Sequence, residues 1–141
     1  MKYKCTKLNL YGVIVLYAPE LCRAEGITVA ATDGDRIFVT DSFFTFSEDV
    51  QKFILYHELG HQALGHTEFG FFKSMLVYLE KRLKGYSKRE LEADAWAINK
   101  LGGRLAEKAL LETREYIYRK YGRNIDLTEL NKRIEQARNL Y

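Results

Sequence analysis

The run SEDVQKFILYHELGHQALGH, residues 47–66, constrains the fold more than any other part of the chain. Val50, Phe53, Ile54, His57, His61 and Leu64 follow one another at helical intervals, so they form one stripe that has to face a core. Ser47 or Thr45 supplies the N-cap and Gly65 the C-terminal stop. Two histidines therefore interrupt an otherwise apolar stripe. All three histidines of the 141-residue chain, His57, His61 and His66, lie between positions 57 and 66.

On a helix His57 and His61 project from one face about one turn apart, which lets both reach a single tetrahedral Zn2+ with bonds of about 2.0–2.1 Å. Glu58 is rotated away from them by about 100° and stands beside such an ion, placed to take a proton from water whose pKa the metal lowers toward about 7. This is the H-E-x-x-H arrangement of zinc peptidases. Ordinary residue usage would produce it by chance in on the order of one chain in a few hundred of this length. The competing reading makes the histidines satisfied core residues and Glu58 a solvated acid. A well-capped helix that uses two of the only three histidines favours the metal.

A hydrolytic zinc site has three protein ligands and one open position. His66 follows Gly65, where the helix ends, and the metzincin spacing of Gly and His after the second histidine is missed by one residue at both places. His66 is thus read as a rim residue able to touch substrate. Glu90 and Asp94, in SKRELEADAWAI, stand one turn apart on a helix and share a face with Ala97, Ile98 and Leu101. Like charges at that spacing repel by about 0.2–0.5 kcal/mol. Acids do gather at helix starts, and Glu90 completes a capping box with Ser87. A cation accounts for the pair more fully: Glu90 coordinates it while Asp94 accepts a hydrogen bond from the outer ring nitrogen of a ligand histidine.

The remaining elements are set by period and punctuation. VIVLY, residues 13–17, reads as a buried strand stopped by Pro19, and ITVAAT and RIFVT flank the hairpin signal Asp33-Gly34. A small, partly antiparallel sheet is expected over residues 13–40. A second helix at about 70–84 would turn Phe71, Met75, Tyr78 and Leu79 inward, a third runs from Ser87 to Leu101, and a fourth spans about 104–121 before Gly122. The last starts at Asp126, with Glu129 as its capping-box partner, and presents Leu127, Leu130, Ile134, Ala137 and Tyr141 on one side. The expected class is α+β: a small mainly antiparallel sheet with an edge strand over the active-site helix, then a mostly helical C-terminal half, all in one domain over residues 1–141.

HELGH succeeded on a later helix by E-x-x-x-D, here Glu90 to Asp94 within ELEADAWA, resembles the gluzincin metallopeptidases. The likeness is greatest to the catalytic core of the CAAX prenyl endopeptidase and HtpX heat-shock peptidase family and its compact soluble relatives, the minigluzincins. It extends through DGDRIFVTDSFFTFSEDVQKFILYHELGH and LGGRLAEKALLE, over about residues 13–115. The resemblance implies a zincin-like fold, one Zn2+ held by His57, His61 and Glu90, Glu58 as general base and acid, and Asp94 behind a ligand histidine. It also implies that the strand Arg36–Thr40, with Ile37, Phe38 and Val39, rims the cleft and pairs with an extended peptide. His66, Tyr86 and Arg104 are the candidates for stabilising the oxyanion or touching substrate. The family's membrane members carry transmembrane helices around this core, whereas here only residues 62–89 lie between His61 and Glu90.

Composition narrows the partners. Lys+Arg number 22 against 19 Asp+Glu, interspersed along the chain, which is no nucleic-acid footprint. No run is long enough to span a bilayer, since the apolar stretch FGFFKSMLVYL is about half the required length and contains Lys73. The N-terminus lacks an apolar signal core, and two cysteines, Cys5 and Cys22, are too few for a disulfide scaffold, so a soluble, cytoplasmic protein acting on peptides or unfolded proteins is expected. Two rival readings stand beside the endopeptidase. One is a regulatory protease of the kind phage and stress-response systems use, although the chain shows no helix-turn-helix. The other is a non-catalytic, zinc-stabilised peptide-binding module. A latent form is a further expectation, with a Cys5 or Cys22 thiolate or the helix ending at Tyr141 covering the metal.

Overall fold

A computed structural model describes residues 3–27, 29–65 and 87–140. The expected helix at about 70–84, with Phe71, Met75, Tyr78 and Leu79, lies outside the described residues, as do His66, Tyr86 and Tyr141.

Strands β1 (Thr6–Leu10) and β2 (Val13–Tyr17) form an antiparallel hairpin. Its two-residue turn, Tyr11-Gly12, has positive φ at both positions, 54° and 82°, the backbone that matches strand twist. Tyr11 has no glycine-like freedom to adopt it and is held in place. Its hydroxyl donates to Gln51 Oε1 at 2.7 Å, and the Lys52 ammonium lies 5.5 Å from its ring centroid. The hairpin is thereby tethered to the long helix that contains Gln51 and Lys52.

Pro19 does more than stop β2. It is the first residue of helix α1 (Pro19–Glu25), where a missing N–H costs nothing, and Gly26 closes the helix in the left-handed region at φ 72°. This short helix was not expected from sequence. It carries the chain to β3 (Ala30–Thr32), which pairs antiparallel with β4 (Ile37–Val39) across the Asp33-Gly34 turn. β4 also pairs parallel with β2, Leu16 opposite Phe38 and Tyr17 opposite Val39, so the sheet order is β1-β2-β4-β3. The expectation that Arg36–Thr40 forms an edge is therefore wrong: the α1 crossover places β4 in the interior, and β3 is the edge. VIVLY is likewise buried on one face only, Val13 and Val15 being inside and Ile14 51% exposed.

Alternation along β3 and β4 builds two apolar layers. Ala30, Ile37 and Val39 join the main core with Val13 and Val15, whereas Ala31 and Phe38 join Ala18, Cys22 and Ile27. After a 3-10 turn over Asp41–Thr45, helix α2 (Glu48–Ala63) starts from Ser47, whose side chain accepts from the Val50 N–H at 3.4 Å. Val50, Phe53, Ile54, His57 and His61 are buried as the stripe requires, together with Leu55. Leu64 is not: α2 ends at Ala63, Leu64 leaves the helical register at ψ 1°, and 45% of it is exposed.

Helices α3 (Ser87–Leu101), α4 (Gly103–Tyr121) and α5 (Thr128–Asn139) complete the described chain. α2 packs on α3 and α4, and α5 packs on both of those. Asp126 precedes α5 rather than capping it: its Oδ1 accepts from the backbone N–H and the hydroxyl of Thr128. The class is α+β, a four-stranded mixed sheet with a mostly helical C-terminal half.

Candidate metal centre

Gly60 lets the two motif-bearing helices touch. A Cβ built on it would lie 2.8 Å from the carbonyl oxygen of Ala93, 3.1 Å from Ala93 Cα and 3.3 Å from Trp96 Cβ. The small residues Ala93 and Ala97 of α3 are fully buried against this approach, and Tyr56 stacks on Trp96 beside it. Close contact of the two axes brings Glu90 and Asp94, one turn apart on α3, against His57 and His61, one turn apart on α2.

His57 Nδ1 and Asp94 Oδ1 are 2.7 Å apart, so the ring donates there and turns Nε2 to the other side. Nε2 meets Glu90 Oε2 at 2.7 Å and His61 Nε2 at 3.1 Å, and His61 Nε2 is 3.5 Å from Glu90 Oε1. Two ligands on a tetrahedral Zn2+ with bonds near 2.05 Å are about 3.3 Å apart. The three observed separations bracket that value, and donor atoms of His57, His61 and Glu90 all lie within 4.8 Å of one another. With Nδ1 donating to Asp94, the Nε2 lone pair of a neutral His57 faces His61 and Glu90, so three potential ligand atoms converge. Such a group fits a cation.

The electrostatics are a consequence of burial. His57, Glu58, His61 and Glu90 are 3%, 3%, 1% and 4% exposed. Burial alone would lower the His57 pKa, but Glu90 and Asp94 outweigh it and, with no metal, hold it up at about 10. Burial pushes Glu58 up to about 8, Glu90 adding to the rise while His57 and Arg133 oppose it. Glu90 and Asp94 stay ionised despite burial, the first held well down chiefly by His57 and the second held down by Arg133 and His57. Glu58 is outside the converging set, and its Oε2 has no hydrogen-bond partner among the described residues.

Sequence reasoning missed Arg133. It lies on α5, is 1% exposed, and grips Asp94 with two donors, Nε to Oδ2 at 2.5 Å and Nη2 to Oδ1 at 2.8 Å. A signal was present, because Arg133 falls three residues after Leu130 and four before Ala137, on the buried stripe. A guanidinium there has to find an anion.

Other expected contacts are elsewhere. Ile37, Phe38 and Val39 are buried; Phe38 and Val39 pair with strands on both sides and Ile37 with β3, and the small cavity that Ile37 lines with Leu59 and Gln62 contains none of the converging residues. Arg104 is exposed and lines a groove with Phe46, Lys108 and Tyr116 that contains none of the converging residues. Cys22 is buried in the Phe38 layer and Cys5 is exposed; neither joins the His57, His61, Glu90 group. Among the described residues no helix is long and apolar enough to cross a membrane. Comparison with known proteins found no matching family model, curated protein or solved structure.

Proposed function

We propose that this chain is a zinc-dependent endopeptidase of the gluzincin kind, with His57, His61 and Glu90 as ligands and Glu58 as general base. The observation that carries the reading is a buried Glu58 carboxylate oxygen without a hydrogen-bond partner among the described residues, next in sequence to the first of three converging ligand residues. Two imidazoles and one carboxylate are a donor set of catalytic zinc sites, and the ion supplies Lewis acidity that polarises a carbonyl and acidifies water. Glu58 takes the proton of the attacking water and returns it to the leaving amine. Asp94 holds His57 in the Nδ1–H form, and Glu90 reaches across from α3 to close the ligand set.

Of the two edge strands, β1 and β3, it is β3 that packs on α2, so an extended peptide pairing with the sheet beside the motif helix would use β3. Ala30, Ala31 and Thr32 are buried, so that edge must be uncovered first. The same burial, shared by every member of the site, favours a second reading in which the metal is structural and the chain binds peptides without cleaving them. Elemental analysis and hydrolysis of a denatured protein mixture separate the two. Glu58→Gln should keep the metal and lose about 10²- to 10⁴-fold in rate, and retained activity would sink the general-base role. A metal-loaded parent that cleaves nothing favours the structural reading.

A further inference from the structure

Arg133 reaches the site from the C-terminal helix, and nothing in the proposed chemistry uses it. Its two donors hold both oxygens of Asp94, at 2.5 Å and 2.8 Å, and Nη2 comes within 3.4 Å of His57 Nδ1. Nη1 stands 3.9 Å from Glu90 Oε2. Two fixed donors set the plane of a carboxylate, which a single ammonium cannot do. The oxygen that receives His57 Nδ1–H is one of the two that Arg133 holds. The aim of His57 Nε2 at the metal position therefore depends on α5.

We infer that Arg133 is a positioning residue for the metal centre: by clamping Asp94 it fixes the tautomer and direction of His57, and it thereby couples docking of the C-terminal helix to metal affinity. The inference rests on the metal reading above. A merely structural ion pair would stabilise the packing of α5 on α3 but leave the affinity of the folded protein unchanged. Coupling is reciprocal, so the metal in turn tightens α5.

The test uses the full chain, with Zn2+ affinity measured by competition against a chromophoric chelator and site geometry read from the visible spectrum of the Co2+-loaded protein. Loss of a group that orients a ligand histidine typically costs about 10- to 100-fold in metal affinity. Arg133→Met should weaken binding by about tenfold or more and alter the Co2+ spectrum, while Arg133→Lys should fall between it and the parent. Asp94→Asn combined with Arg133→Met should bind no more weakly than Asp94→Asn alone, because the two side chains act as one unit. Folded variants with the parent's affinity and spectrum overturn the inference. If Arg133→Met does not fold, Arg133→Lys decides in the same way. In the parent, Zn2+ should slow amide exchange over Leu130–Ala137 more than over Thr6–Leu10, and equal slowing overturns the coupling. A parent that binds neither ion overturns the metal reading itself.

Discussion

Replacing Gly60 by Ala sets two effects against each other, and the structure decides the sign. Gly60 is interior to α2, so on helix propensity alone the substitution should stabilise by about 0.8–1.0 kcal/mol. The added methyl, however, would lie 2.8 Å from Ala93 O and 3.1 Å from Ala93 Cα. Both are backbone atoms of α3, so no side chain can rotate away and the helices must separate by several tenths of an ångström. Inserting a methyl into a packed contact costs typically about 1–3 kcal/mol, and backbone on both sides puts this case in the upper half of that range. The net expectation is a loss of about 1–2 kcal/mol. Urea unfolding of parent and Gly60→Ala with a chelator present measures it without a metal contribution. The separation also moves Glu90 away from His57 and His61, so zinc affinity should fall as well. A variant at least as stable as the parent, with unchanged zinc affinity, would refute the idea that Gly60 sets the helix approach.

Three further outcomes are expected. Cys5 should react with a thiol reagent in the folded protein while Cys22, buried and with its thiol pushed up to about 11 chiefly by that burial, should wait for unfolding; equal rates would contradict its place in the Phe38 layer. Leu55→Ala, at a fully buried position, should cost about 2–5 kcal/mol, whereas Leu64→Ala, at a 45% exposed one, should stay within about 0.5 kcal/mol in urea melts. Free Zn2+ at about a hundred times its dissociation constant should raise unfolding stability by about 2.7 kcal/mol, and a melting curve that does not respond to metal or chelator would remove the ion from the folded state.

What was legible in the sequence was local. The span of α2 came from one stripe and one cap, that of α3 from the Ser87 and Glu90 capping signal and the Gly102-Gly103 stop, and the β3–β4 hairpin from Asp33-Gly34. Each is written in a short stretch of neighbouring residues. Helix α1 was equally local, Pro19 at its start and Gly26 at its end, but Pro19 also reads as the end of a strand. The seven residues from Pro19 to Glu25 are too few for a helical period to separate those roles. β1 hid because Lys7 and Asn9 alternate with Leu8 and Leu10 on a half-exposed edge, which periodicity over so few residues barely separates from loop. Strand order was not legible at all. Whether β4 is edge or interior depends on β2 pairing with it across the α1 crossover, a long-range choice with no residue of its own to announce it. The site divides along the same line. His57, Glu58, His61, Glu90 and Asp94 are marked by spacing within helices, while Arg133 meets Asp94 only because α5 packs on α3.

Arg133 also changes the charge balance of the whole site. Glu58, Glu90 and Asp94 are three carboxylates buried together, a severe cost if all are ionised without compensation. The Arg133 guanidinium, itself 1% exposed, offsets one of them. With both histidines neutral, as metal binding would require, two negative charges remain, which is the charge a single divalent cation would remove. Without a metal the same neutrality is reached by protons: His57, held up at about 10, carries one, and Glu58, pushed up to about 8, carries the other. The cluster can therefore stay buried with or without an ion, its convergence kept by hydrogen bonds and ion pairs among its own side chains. Had α5 brought a neutral side chain to Asp94, one negative charge would be left over in either state. A cation from the C-terminal helix is thus part of what lets three acids share this interior.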